Sequence, residues 1–283
     1  MSIPVRLALM LGCLVVMVGA GLSALGLHPL RSLGLGADLS AVEVVRLTRP
    51  ESATAARLKQ DARTDLTGYG TPGRYVPDPL QGTRHVTESG VVWWAAGPVE
   101  GPPRPVVILL HGAGRDGHSM VDMWHEVAMA EGVILVAPDF GSLPDSSVGL
   151  YDPRAALAAL DQAATLYPVD DARVVLFGHS RGGIAAQLWA NRVDGPWRAV
   201  AVHAGTLPAN LVAPVTSGKP VRHYLGTMDQ TFSFEEGRES AAAMADAGHP
   251  FELVALSGHT HWFYEQGEAI SADAWNWLRG QLG

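Results

Sequence analysis

The stretch Arg173-Val174-Val175-Leu176-Phe177-Gly178-His179-Ser180-Arg181-Gly182-Gly183 decides the reading of this chain. A short apolar run rich in valine enters it, and Gly182–Arg192 leaves it with helical composition. Between them stands Gly-x-Ser-x-Gly, the pattern of a sharp strand-to-helix turn that holds a serine hydroxyl out of a sheet. Gly178 and Gly182 remove side chains for which such a turn has no room. A serine hydroxyl is a weak nucleophile until a base sits beside it. Ser180 is therefore the candidate nucleophile, and the rest of the chain is read for a base, an acid and backbone donors.

Outward from this point the sequence alternates regularly. Short apolar runs recur at Val91–Ala95, Val106–Leu110, Val133–Ala137, Val174–Phe177, Ala199–His203, Val221–Leu225 and Phe251–Leu256. Segments of helical pattern lie between most of them, at Met120–Glu131, Pro153–Leu166, Gly182–Arg192 and Glu235–Ala247, and Trp275–Leu282 closes the chain as another. Continuous apolar strands separated by helices predict the α/β class, with a mostly parallel central sheet covered on both faces. Ligands of such sheets sit at the carboxyl ends of the strands, so the residues just after each strand are the ones to search.

Two later loops supply partners for Ser180 in the order acid, then histidine. Asp229 follows the run Val221–Leu225 in Gly226-Thr227-Met228-Asp229, with Glu235 as the reserve acid. His259 and His261 both follow Phe251–Leu256, and either is placed to act as the base. The acid would fix the imidazole tautomer and stabilise the imidazolium that forms. A His-x-His pair also raises a metal site, but no further ligand at suitable spacing completes one, so no metal is expected. The backbone N–H of Arg181 and that of Ala113, in the loop His111-Gly112-Ala113-Gly114, are the expected donors to an oxyanion. His111 reads as a brace for that loop. The loop lacks the phosphate-binding G-x-x-x-x-G-K-[ST] pattern.

Together these features resemble the α/β-hydrolase superfamily over residues 90–283. Within it, Tyr167-Pro168-Val169-Asp170-Asp171-Ala172-Arg173 leading into Gly178-His179-Ser180 is similar to the small esterases of the dienelactone-hydrolase-like, feruloyl-esterase and polyhydroxybutyrate-depolymerase-like group. His261-Trp262-Phe263-Tyr264 resembles the pattern around the base of related esterases, which favours His261 over His259 as the base. The resemblance implies an α/β-hydrolase fold and cleavage of carboxylic esters through an acyl-enzyme, without a cofactor. Two departures stand out: dienelactone hydrolases proper use cysteine where this chain has Ser180, and the three-glycine oxyanion loop of the hormone-sensitive lipase group is absent. Only residues 204–220 separate the two strands between which the family often inserts a cap, so no large lid domain is expected and the acyl side is walled by Trp262, Phe263 and Phe140. Two rivals share the fold: a serine peptidase of prolyl-oligopeptidase type and a non-catalytic binding protein.

Composition sets the outer bounds. The chain has 283 residues, 47% apolar and 17% charged, enough to build a sizeable core. A formal charge of −8 argues against nucleic acid and strongly anionic partners. The only cysteine, Cys13, lies in the uncharged run Leu7–Leu27, so no disulfide framework or catalytic thiol exists beyond it. That run is long enough for the roughly 20 helical residues that cross a bilayer. It is read as a signal peptide, with Val18-Gly19-Ala20 as cleavage site, or as a membrane anchor; a lipoprotein start at Cys13 is disfavoured by the short apolar stretch before it. Both readings place the protein outside the cytoplasm, secreted, periplasmic or anchored. The expected organisation is residues 1–27 as leader or anchor, 28–89 as linker and peripheral segment, and 90–283 as catalytic domain. Within 28–89, Val42–Leu47 reads as a strand and Ala53–Arg63 as helical. The expected partner is a small-molecule or polymer-linked ester.

Overall fold

The computed structural model describes residues 75–142 and 151–283, and the backbone of 42–48 and 52–58. Leu7–Leu27, Cys13 and most of the segment before residue 75 lie outside the described residues. No helix among those described is long and apolar enough to cross a membrane.

Six strands form the parallel heart of the sheet: β5 (Arg104–Leu110), β6 (Ile134–Pro138), β7 (Val169–His179), β8 (Trp197–His203), β9 (Val221–Gly226) and β10 (Phe251–Leu256). They are the runs read from the sequence, and every residue of β6 and β9 is buried, as expected of strands covered on both faces. Antiparallel strands extend both edges. On one side come β4 (Val92–Ala96) and β3 (Thr83–Val86); on the other come β1 (Val42–Thr48) and β2 (Ser52–Leu58). The order is β2-β1-β10-β9-β8-β7-β5-β6-β4-β3.

Two differences from the sequence reading lie near the amino terminus. Residues 52–58 pair residue for residue with β1 as a strand, not as a helix. Alanine favours helix by only a fraction of a kcal/mol per residue, which strand pairing readily overrides. The segment assigned to the linker also supplies strands to the sheet, β1 and β2 at one edge and β3 at the other, where β3 pairs with β4 from Thr83↔Ala95 to Val86↔Val92.

Helices α1 (Gly117–Glu131), α2 (Pro153–Leu166), α3 (Arg181–Arg192), α4 (Phe234–Asp246) and α5 (Gly267–Arg279) cover the two faces. Their ends follow from local chemistry. Asp116 accepts from Ser119 N at 2.9 Å to start α1, and Gly132, at φ 65°, ends it. Pro153 opens α2, where a missing N–H leaves nothing unsatisfied. Ser233 and Glu236 form a reciprocal capping box on α4. The final helix starts eight residues before Trp275, because Ile270, Ala274 and Leu278 join Trp275 on one buried stripe.

Alternation along the strands divides the core. Val106, Ile108 and Leu110 of β5 face the layer holding Trp189 of α3 and Leu160 of α2. Val107 and Leu109 face the layer holding Trp124 of α1 and Trp275 of α5. Strand β5 lies between β6 and β7, so the chain leaves β5 to one side and returns to the other. At such a reversal the loops at the carboxyl ends diverge and open a crevice. The loops after β5 and β7 are the ones that carry Ala113 and Ser180.

Candidate active site

Strand β7 ends at His179, and Ser180 turns the chain into α3 with φ 54° and ψ −119°. A non-glycine residue in this region stores backbone strain of order 1–3 kcal/mol, and such strain concentrates at functional sites. The flanking glycines make the turn possible. A Cβ on Gly178 would lie 2.3 Å from Gly182 O, and one on Gly182 would lie 2.1 Å from Leu110 O. The Ser180 side chain makes no capping hydrogen bond to α3. Its hydroxyl instead lies 2.9 Å from His261 Nε2.

His261 Nδ1 lies 2.9 Å from Asp229 Oδ2. The Asp229 side chain is wholly buried, and its other oxygen accepts from Thr231 N at 2.8 Å and Phe232 N at 3.0 Å. These bonds hold the carboxylate independently of the imidazole. A carboxylate can only accept, so it holds the His261 proton on Nδ1 and leaves Nε2 bare toward the serine. The structure thus brings Ser180, His261 and Asp229 into one relay. Glu235, the reserve acid, is exposed on α4 beside Arg238. His259 is buried, and its Nε2 lies 2.9 Å from His203 Nε2, away from the serine relay. Burial pushes its pKa down to about 4.

A cavity of about 180 Å³ sits beside the elbow, lined among others by Ala113, Arg115, Phe140, Tyr151 and Arg181. Both expected oxyanion donors therefore border one space. The Arg181 amide belongs to the first turn of α3, whose N–H groups have no acceptor within the helix and favour negative charge. His111 braces this wall. Phe140 N donates to its Nε2 at 3.0 Å, so the ring proton sits on Nδ1, 2.8 Å from Gly112 O. Tyr151 donates its hydroxyl to His111 O at 3.0 Å. Burial keeps the His111 pKa below the ordinary value, as suits a neutral strut.

Of the three aromatics expected along the acyl side, only Phe140 lines the cavity. Phe263 is fully buried, packed against Phe177 and His179. Trp262 stacks on the Arg115 guanidinium, 4.9 Å from its ring centre. The connection from β8 to β9 carries only the short 3-10 turn Ala209–Leu211, with no helical lid.

The sequence reading passed over His179 and His203 as functional candidates. His179 Nδ1 lies 3.0 Å from His203 Nδ1, which joins His179 to His259 through one buried imidazole. The available signal was positional: His179 and His203 are the last residues of adjacent strands and are partners in the β7/β8 register.

Known proteins agree with this architecture. The dienelactone hydrolase family matches residues 150–278, the part that holds Ser180, Asp229 and His261. The S-formylglutathione hydrolase of Agrobacterium tumefaciens superposes with a TM-score of 0.59 at 15% identity, covering 71% of this chain and 95% of that one. Esterase 2 of Thermogutta terrifontis gives 0.56 at 20% identity, covering 73% of this chain and 97% of its own. Dipeptidyl peptidase 4 of Porphyromonas gingivalis gives 0.55 at 16% identity, with 73% of this chain matched to only 36% of that one. The chain is an α/β-hydrolase by fold, and residues 150–278 carry its likeness to the dienelactone hydrolase family.

Proposed function

We propose that this protein hydrolyses carboxylic esters through an acyl-enzyme on Ser180, with His261 as base, Asp229 as its orienting acid, and the Ala113 and Arg181 amides as the oxyanion hole. The observation that carries the reading is the pair of 2.9 Å contacts that links hydroxyl, imidazole and carboxylate at a strained elbow. His261 Nε2 takes the hydroxyl proton as Ser180 Oγ attacks the ester carbonyl. The carbonyl oxygen gains the negative charge and lies toward the two amides. As the intermediate collapses, the proton on Nε2 passes to the leaving alcohol. Water then gives a proton to the same nitrogen and attacks the acyl-serine, and as that intermediate collapses Nε2 returns the proton to Ser180 Oγ and the acid is released.

The small cavity and the lack of a helical lid between β8 and β9 favour a short acyl group on an otherwise open, soluble or polymer-bound ester. Esterase 2 of Thermogutta terrifontis has been captured phosphorylated by paraoxon, and the same class of reagent suits this chain. Ser180→Ala is expected to abolish both hydrolysis of a short-chain nitrophenyl ester and labelling by a fluorophosphonate probe. Retained turnover in that variant would end the proposal. Cleavage of a peptide panel in preference to esters would move the protein to the peptidases. We also propose, from the uncharged run at residues 7–27, that the enzyme acts outside the cytoplasm.

A further inference from the structure

Three imidazoles at the carboxyl ends of β7, β8 and β10 touch in series beneath the elbow. His179 ends β7, His203 ends β8, and His259 follows β10. The contacts are His179 Nδ1 to His203 Nδ1 at 3.0 Å and His203 Nε2 to His259 Nε2 at 2.9 Å. Each contact requires one N–H and one bare nitrogen. The central ring spends both nitrogens and is 0% exposed.

We propose that this histidine chain is a positioning device that holds the nucleophile, the base and the acid at their working separations. The inference rests on the ester-hydrolase reading for what is positioned, and on packing for how. At one end His179 is the covalent neighbour of Ser180, and Ser180 N donates to His203 O at 2.9 Å. At the other end His259 stands two residues before His261, and its carbonyl accepts from Met228 N, next to Asp229, at 3.0 Å. The chain therefore links all three loops across the sheet ends.

Its protonation matters to the base. The groups acting on His203 are other imidazoles: His179, His259, His261 and His223. Arg115 and His261 face His179, and Asp229 and His261 face His259. Burial holds the pKa of the central ring well below the ordinary value, and the neighbouring imidazoles push it the same way. A neutral central ring leaves two polarities. With its proton on Nε2, His203 donates to His259 and accepts from His179; with the proton on Nδ1, both contacts reverse. In either state no positive charge builds up behind His261, whose ring centre lies 5.3 Å from that of His179, so the imidazolium of the reaction forms without like-charge repulsion.

The test compares His203→Phe, which keeps a ring without nitrogens, with His203→Gln, which can still donate and accept. Purified full-length variants are checked for folding by circular dichroism, then assayed on a short-chain nitrophenyl ester across pH and by the rate of fluorophosphonate labelling. His203→Phe is expected to lower kcat by about tenfold to a hundredfold, as small misplacements of reacting groups do, with KM nearly unchanged and labelling slowed in parallel. His203→Gln is expected to restore most of the loss. A folded His203→Phe enzyme with wild-type kcat and labelling rate would overturn the proposal, and so would a glutamine variant no better than phenylalanine. If neither variant folds, imidazole nitrogen NMR of the wild type decides: complementary neutral tautomers support the chain, and an imidazolium among the three near neutral pH refutes it. Absence of ester turnover in the wild type, with labelling that still depends on His203, would sink the ester reading while supporting the chain.

Discussion

Acidification is expected to destabilise this protein before most carboxylates titrate. His223 is fully buried on β9 with neither ring nitrogen hydrogen-bonded, and burial pushes its pKa down to about 4. His259 is pushed to about 4 for the same reason. His179 and His203 are held well below the ordinary value as well, so the two sites at His223 and His259 set a lower bound. In the unfolded chain each takes up a proton near the ordinary pKa of about 6.5, while the native state refuses it until about pH 4. The unfolded state therefore binds more protons in this window, and stability falls as pH drops from about 6.5 to about 4. Each gap is worth about 3 kcal/mol, and by pH 5 the two sites together cost about 4 kcal/mol. A domain's whole stability is about 5–15 kcal/mol, so the effect is large. Urea denaturation between pH 7.5 and 4.5 reads it as a falling midpoint. His223→Leu should make the slope shallower by the share of one proton and raise stability at neutral pH by about 1–3 kcal/mol, the usual cost of an unsatisfied buried polar group. A midpoint independent of pH between 7 and 5, or an unchanged slope in His223→Leu, would refute the burial argument.

Two substitutions probe the proposed relay and its supports. Asp229→Asn keeps the shape but presents an amide where His261 needs an acceptor, so kcat should fall by a factor on the order of 10⁴, as loss of the orienting carboxylate does elsewhere; steady-state kinetics with little change in KM would bear this out. Tyr151→Phe removes the hydroxyl that donates to His111 O and should cost about 1–3 kcal/mol in urea denaturation, with kcat lowered more than KM is changed, because the Ala113 loop loses its brace.

Much of this architecture was legible in the sequence because its signals are local. Parallel strands buried on both faces are continuous apolar runs, so all six central strands, from Arg104–Leu110 to Phe251–Leu256, could be read directly. Ser180 announced itself because the elbow needs glycine at two fixed positions. The spacing after β10 left His259 and His261 equivalent, and only the resemblance of His261-Trp262-Phe263-Tyr264 favoured His261; in the structure His259 turns inward to His203 while His261 faces the serine. The segment 52–58 misled because alanine composition carries no information about a partner strand. Phe263 misled for a related reason: its neighbour Trp262 stacks on Arg115, but Phe263 itself fills the core under His179. The histidine chain was hidden because it is made by residues 24 and 56 positions apart, which only the sheet order brings together.

Buried imidazoles in this fold are of two kinds, and they should separate in experiment. His203 and His223 sit on adjacent parallel strands, both with 0% exposure. Each loses hydration that an apolar side chain would not miss, so each opposes folding. His203 offsets that loss with two hydrogen bonds that bind the loops of Ser180 and His261 to each other, whereas His223 makes none. An apolar replacement of His223 should therefore raise stability and leave kcat alone. The same replacement at His203 orphans a nitrogen on each neighbouring ring and loosens the elbow, so it should lower kcat without the gain in stability. On the proposed reading the imidazole at 203 serves catalysis, while that at 223 is a removable cost. Equal effects of the two substitutions on kcat would show that packing around β8 and β9, and not the hydrogen-bonded chain, sets the geometry of the site.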